Sequence, residues 1–316
     1  MKQIYIIFIL FFTFGNVFSQ NIVIDKNLES KKKIESIILQ SKNFGKDTIA
    51  LKSYLSPLIK SSDKNLHIVY YNMLASGFAS ANESINKTSN HNFSKSLALA
   101  KSGENHGLEI WTLVNYAFYL YDYKKTTEAL QVYLDADNKI RQTEASAIIL
   151  PSDSFKKIGY FMGTIGDTNE AIHYLQKAEQ FAEPNSKELA AIQDNIGFYY
   201  LEQNQIENAK RYLSKAETVA KNINDQIRYA KVLGNLGLLE YKKGNLDKAV
   251  ELLRKDLTIS KKFRSHNNTN YARILLSKIL IDKNQINEAK SLLSEAGKFA
   301  ESKMQLKKDV FEIEQL

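Results

Sequence analysis

Apolar and small side chains return at helical spacing along most of this chain, and five stretches repeat nearly the same order of them. They are TEALQVYLDA at 127–136, NEAIHYLQKA at 169–178, ENAKRYLSKA at 207–216, DKAVELLRKD at 247–256 and NEAKSLLSEA at 287–296. The shared alanines Ala129, Ala171, Ala209, Ala249 and Ala289 are 42, 38, 40 and 40 residues apart. Four residues after each stands a large apolar residue: Tyr133, Leu175, Leu213, Leu253 or Leu293. Seven after, another small residue follows (Ala136, Ala178, Ala216, Ala296), with Asp256 the exception. Offsets of four and seven fall on one face of a helix.

The other half of each unit reads backwards from the alanine. Five residues before it comes a turn residue, Gly166, Asn204, Gly244 or Asn284, able to take the left-handed conformation that ends a helix. About twelve before it lies a small residue after an apolar one: Ile158-Gly159, Ile196-Gly197 and Leu236-Gly237. Two helices approach to the short end of the usual 8–10 Å only where the contact side chains are small. The unit is therefore a helix, a tight turn and a second helix, with the alanine a buried packing contact. A period of this length marks an array of stacked hairpins.

At these residues the chain resembles the tetratricopeptide repeats. The resemblance rests on Ile196-Gly197, Tyr200, Asn204, Ala209, Leu213 and Ala216 in the best copy, and on Leu236-Gly237, Gly244, Ala249 and Leu253 in the next. It covers residues 108–300, with units longer than the usual 34 residues. It implies an all-α fold: a right-handed superhelix, or α-solenoid, of about seven stacked helix-turn-helix hairpins plus a lone C-terminal helix. Residues 20–107 read as divergent hairpins, with helices expected at 28–41, 47–60, 64–82 and 91–103, and Pro57 bending or ending the second. The array proper is expected over 108–304. A terminal helix, either a cap or the start of a truncated repeat, is expected at 305–316.

The amino terminus adds a location. Met1-Lys2 precedes the apolar run Ile4–Gly15 and then Asn16-Val17-Phe18-Ser19-Gln20, the layout of a secretory signal spanning residues 1–19. The run is short of the ~20 apolar residues a spanning helix needs, so a cleaved product, periplasmic or secreted and without a membrane span, is expected. The chain has no cysteine, which removes disulfides and thiol chemistry together. Its net charge of +8 is spread among glutamates, and the longest basic run is Lys31-Lys32-Lys33. A nucleic-acid role would need a concentrated basic stripe.

No catalytic, cofactor-binding or metal-binding motif is present. The five histidines, His67, His91, His106, His173 and His266, are not at ligand spacing from one another. Candidate chemistry lies instead on the first helices, which the resemblance places along the concave groove. Two residues before the small contact position stand Asn115, Asn195 and Asn235; Lys157 and Leu275 break this series. An asparagine amide both donates to and accepts from a peptide backbone. One residue after the small position stand Phe118, Tyr160 and Phe198, with Tyr241 a turn further along its own helix. Aromatic side chains of this kind anchor peptides and partner helices. The expected protein is a non-enzymatic scaffold outside the cytoplasm that takes a protein or peptide partner through this groove. The alternative is the sensory input part of a bacterial signal-transduction protein whose output domain is absent from this chain.

Overall fold

A computed structural model describes residues 30–301. The expected signal at 1–19 and terminal helix at 305–316 lie outside the described residues. Among the described residues, fourteen α-helices follow one another, with no strand. The helical-repeat class expected from the sequence is the class observed. The chain divides between Lys124 and Lys125 into two compact units.

The first unit contains α1 (Ser30–Ser41), α2 (Thr48–Ile59), α3 (Lys64–Asn82), α4 (Lys87–Lys101) and α5 (His106–Asp122). Pro57 sits in the last turn of α2, which ends two residues later. Helix α4 begins at Lys87, four residues before the expected start. The Asn86 side chain accepts from the Ser89 amide at 2.8 Å and so satisfies an otherwise unpaired donor of the first turn. Leu55, Leu58, Ile68, Phe93 and Trp111 form the buried interior, each with at most 2% of its surface exposed. The Phe93 ring packs on Tyr116 and Tyr119 at centroid distances of 5.4 and 4.9 Å.

The second unit contains α6 (Thr126–Ile140), α7 (Pro151–Thr164), α8 (Thr168–Phe181), α9 (Lys187–Glu202), α10 (Ile206–Asn222), α11 (Gln226–Lys242), α12 (Leu246–Lys262), α13 (His266–Asp282) and α14 (Ile286–Glu301). The repeated alanines Ala129, Ala171, Ala209, Ala249 and Ala289 are all buried. A Cβ added to Gly159, Gly197 or Gly237 would lie 2.8, 2.7 or 2.8 Å from Cγ of Leu175, Leu213 or Leu253. The leucine of each second helix thus sits directly over the glycine of the first. Burying such a leucine contributes about 1.5–3 kcal/mol, and only glycine leaves room for it.

The turns follow one rule in the four pairs from α7/α8 to α13/α14. Gly166, Asn204, Gly244 and Asn284 all have positive φ, from 57° to 91°. The next residue's amide returns to a carbonyl one turn back, as Gln205 N to Tyr200 O at 2.8 Å and Asn245 N to Glu240 O at 2.9 Å. Asn224 and Arg264 do the same between successive pairs, at φ 54° and 55°. Each helix ends with its last carbonyls bonded rather than bare, which fixes the angle at which the next helix leaves.

Candidate functional site

Helices α9, α11 and α13 lie next to one another as the first helices of three successive pairs. Between them is a cavity of about 410 Å³ lined by Asn195, Phe198, Tyr199, Lys231, Asn235, Ser265, Asn267, Asn268 and Tyr271. A smaller one of about 210 Å³ continues toward the starts of α9 and α11, lined by Lys187, Asp225, Ile227 and Arg228 and sharing Lys231, Ser265 and Asn268. The walls are aromatic, and the polar groups are mostly amides.

Beneath this surface lies a charged cluster. Asp194 on α9 is fully buried. Its carboxylate accepts from Arg228 Nη1 at 2.9 Å and from Asn235 Nδ2 at 2.7 Å, and Lys231 Nζ is 3.8 Å away. A buried carboxylate is tolerated only when paired and hydrogen-bonded, and both conditions come from α11. Desolvation holds the Lys231 ammonium below the usual lysine value, with Arg228 adding to the effect and Asp194 opposing it. The lysine stem remains 42% open at the cavity.

A second group lies at α7. Burial works against the charged Lys156 ammonium, but Asp153, at 3.0 Å, and Glu188 more than offset it, so its pKa lies above the usual lysine range. Tyr160 beside it has its hydroxyl pKa raised, chiefly by burial. That hydroxyl accepts from Asn195 Nδ2 at 3.2 Å, and the same nitrogen donates to the Ala191 carbonyl at 2.7 Å.

These bonds fix how the asparagines meet the cavity. The NH₂ of Asn195 is held by a carbonyl and a hydroxyl, that of Asn235 by the Asp194 carboxylate, and that of Asn268 by Asp256 Oδ1 at 2.6 Å. A carboxylate or carbonyl oxygen only accepts, so each amide turns its nitrogen inward and leaves its oxygen to the groove. The surface therefore presents acceptors to a ligand, plus one cation at Lys231. The Asn195 NH₂ makes two such bonds, to the Ala191 carbonyl and the Tyr160 hydroxyl, and the Asn235 NH₂ makes one, to Asp194.

Of the residues expected in a groove, Asn195, Phe198 and Asn235 line the larger cavity, and Tyr160 supports Asn195. Tyr241 is not among its lining residues; its hydroxyl donates to Asp282 Oδ2 at 2.8 Å. Asn115 and Phe118 are on α5, in the first unit, both half-buried, with the Phe118 ring 6.2 Å from Tyr121. Sequence reasoning missed Asp194, Arg228, Asn267, Asn268, Tyr199 and Tyr271. Only Asp256 carried a signal, as the one break in the small-residue series. Among the described residues, no group of three or more His, Cys, Asp or Glu is placed to hold a metal, and no helix is long and apolar enough to cross a membrane.

The stacked pairs and their shared groove define an all-helical repeat protein. Residues 190–223 and 230–262, which hold α9 with α10 and α11 with α12, each match a family model described as tetratricopeptide repeat. These two segments are tetratricopeptide repeats. No curated protein matches its sequence. Among solved structures, a Rap protein complexed with competence and sporulation factor is similar with a TM-score of 0.62 at 14% identity, over 85% of this chain and 77% of that one. The apo form of RapI gives 0.61 at 15% identity over the same shares. Aspartyl phosphate phosphatase F from Bacillus subtilis gives 0.53 at 15% identity, over 87% and 76%. At these identities the likeness is one of fold.

Proposed function

We propose that this protein is a non-catalytic scaffold that holds an extended segment of a peptide or partner protein along α9, α11 and α13. The observation that carries the reading is the cavity of about 410 Å³ in which Asn195, Asn235 and Asn268 present fixed acceptors beside Phe198, Tyr199 and Tyr271. An extended backbone offers N–H donors at regular intervals to match those oxygens, and its carbonyls suit the Lys231 ammonium. The aromatic rings accept one or two apolar side chains. Two Rap structures that this chain resembles in fold hold peptide partners, competence and sporulation factor in one and the Phr* peptide in the other. An exported location, expected from residues 1–19, belongs to the same proposal, and cell fractionation tests it.

The test is a selection from a random peptide library on the purified protein, followed by calorimetric titration of the selected peptides. Phe198→Ala is expected to weaken binding about tenfold or more while leaving helicity and melting temperature nearly unchanged, because Phe198 is only partly buried. Equal affinity of the variant for every selected peptide overturns the assignment to this groove.

A further inference from the structure

Asp256 occupies the position that Ala136, Ala178, Ala216 and Ala296 fill in the other copies. Its carboxylate is fully buried. Oδ1 accepts from Ser260 Oγ at 2.7 Å and from Asn268 Nδ2 at 2.6 Å, and the same amide nitrogen donates to Ser260 Oγ at 2.6 Å. Oδ2 has no hydrogen-bond partner. It points at α11, where a Cβ on residue 234 would lie 2.5 Å from it, so Gly234 is what admits the carboxylate. Asn268 in turn lines both cavities of the groove. A buried acid thus grips, through its only bonded oxygen, an amide that faces the ligand surface.

We propose that Asp256 and Asn268 form a proton-operated element in the groove: Asn268 offers its carbonyl oxygen when Asp256 is ionised and its NH₂ when Asp256 holds a proton. The hydrogen bonds dictate the two states. An ionised carboxylate only accepts, so the amide nitrogen must face it. A proton on Oδ2 would face Gly234 with no acceptor, and a buried donor left unpaired costs roughly 1–3 kcal/mol. A proton on Oδ1 directed at Ser260 Oγ would make that hydroxyl accept from both Asp256 and Asn268 and take away the acceptor of its own hydrogen. Turning the Asn268 amide over gives the Oδ1 proton an acceptor and lets Ser260 Oγ donate to the same oxygen. The proton passes between the carboxyl group and solvent and never to the amide; the amide only rotates, and one groove position changes from acceptor to donor.

The surroundings set the acid to act near neutrality. Burial, with the Asp194 charge on α9 adding to it, pushes the Asp256 carboxyl up to about 7 against the hydrogen bonds from Ser260 and Asn268. The cations on α11, Arg228 and Lys231, are directed to Asp194. On α13, the His266 ring stacks on that of Phe299 with centroids 5.8 Å apart. The consequence for a partner rests on the peptide-groove reading, but the element itself is read without any ligand.

The experiment follows the ¹⁵N side-chain amide resonances of Asn268, assigned by their loss in Asn268→Ala, from pH 5 to pH 9. A single transition with a midpoint near 7 is expected, lost in Asp256→Asn and moved upward in Ser260→Ala, which removes one donor to the carboxylate. The ¹³C resonance of the Asp256 carboxyl in the unsubstituted protein should share the midpoint, whether or not the variants fold. An Asn268 amide that does not titrate, one that titrates unchanged in Asp256→Asn, or an Asp256 carboxyl that titrates below pH 5, overturns the proposal and leaves peptide binding to be judged by its own test.

Discussion

The two sides of a helix pair in the second unit obey different rules. Between first and second helix the contact is small on large: Gly159 under Leu175, Gly197 under Leu213, Gly237 under Leu253, with Ala171, Ala209 and Ala249 beside them. Along the groove of α9, α11 and α13, equivalent places hold unlike residues. Asp194 on α9 corresponds to Gly234 on α11, and Asn195 and Asn235 correspond to Leu275 on α13. The first side is set by a close approach that recurs in three pairs, leaving 2.7–2.8 Å between a Cβ built on the glycine and the facing leucine Cγ. The second is set by partners 34 and 41 residues away, such as Arg228 and Asn235 on Asp194. Repetition in the sequence thus reports packing, and departures from it report the groove.

Three substitutions separate these sides, beginning with the largest expected effect. Arg228→Ala leaves the buried Asp194 carboxylate with only the Asn235 amide and the half-open Lys231. Loss of one partner of a buried pair costs roughly 3–5 kcal/mol, and less is expected here because Arg228 is itself 23% exposed. A urea midpoint unchanged from the original protein would mean that Asp194 does not depend on Arg228. Next comes the pH dependence of stability. The folded chain keeps the Asp256 proton up to about pH 7, whereas the unfolded chain releases it near pH 4. Stability from this group is therefore lost as pH rises from about 4 through about 7. Between pH 5.5 and 8.5 the loss should be on the order of 2 kcal/mol, and Asp256→Asn should remove it; identical pH profiles for both proteins would refute the effect. The smallest concerns the packing seam. Gly197→Ala places a Cβ 2.7 Å from Leu213 Cγ. Overpacking costs typically 1–3 kcal/mol, partly offset by the ~1 kcal/mol gained when alanine replaces glycine in a helix. A net destabilisation of about 1 kcal/mol is expected by thermal unfolding, and a net gain would show that the seam has slack.

Most of the fold was legible because the packing rule repeats. The alanine series, the left-handed Gly and Asn turns and the helix order were all readable from spacing. The early start of α4 was not, since it depends on the Asn86 cap rather than on any apolar period. In the groove, Asn195, Phe198 and Asn235 were legible because each stands at a fixed offset from a small contact residue. Asp194, Arg228 and Asn268 were not, because pairing across helices leaves no periodic trace. Asp256 stood out as an exception, yet its meaning depends on Gly234, on the preceding helix, and Asn268, on the following one. The partners of the groove asparagines were not legible either: Asn195 Nδ2 is held by Ala191 on its own helix and by Tyr160, and Asn235 Nδ2 by Asp194.

The central claim is that a partner segment lies on the first helices and not on the outer faces. A photo-crosslinking amino acid placed at position 198 on α9, and separately at position 210 on the exposed face of α10, tests it with a peptide selected from the library. Adducts at 198 and none at 210 are predicted. Adducts at 210 with none at 198 would contradict the account.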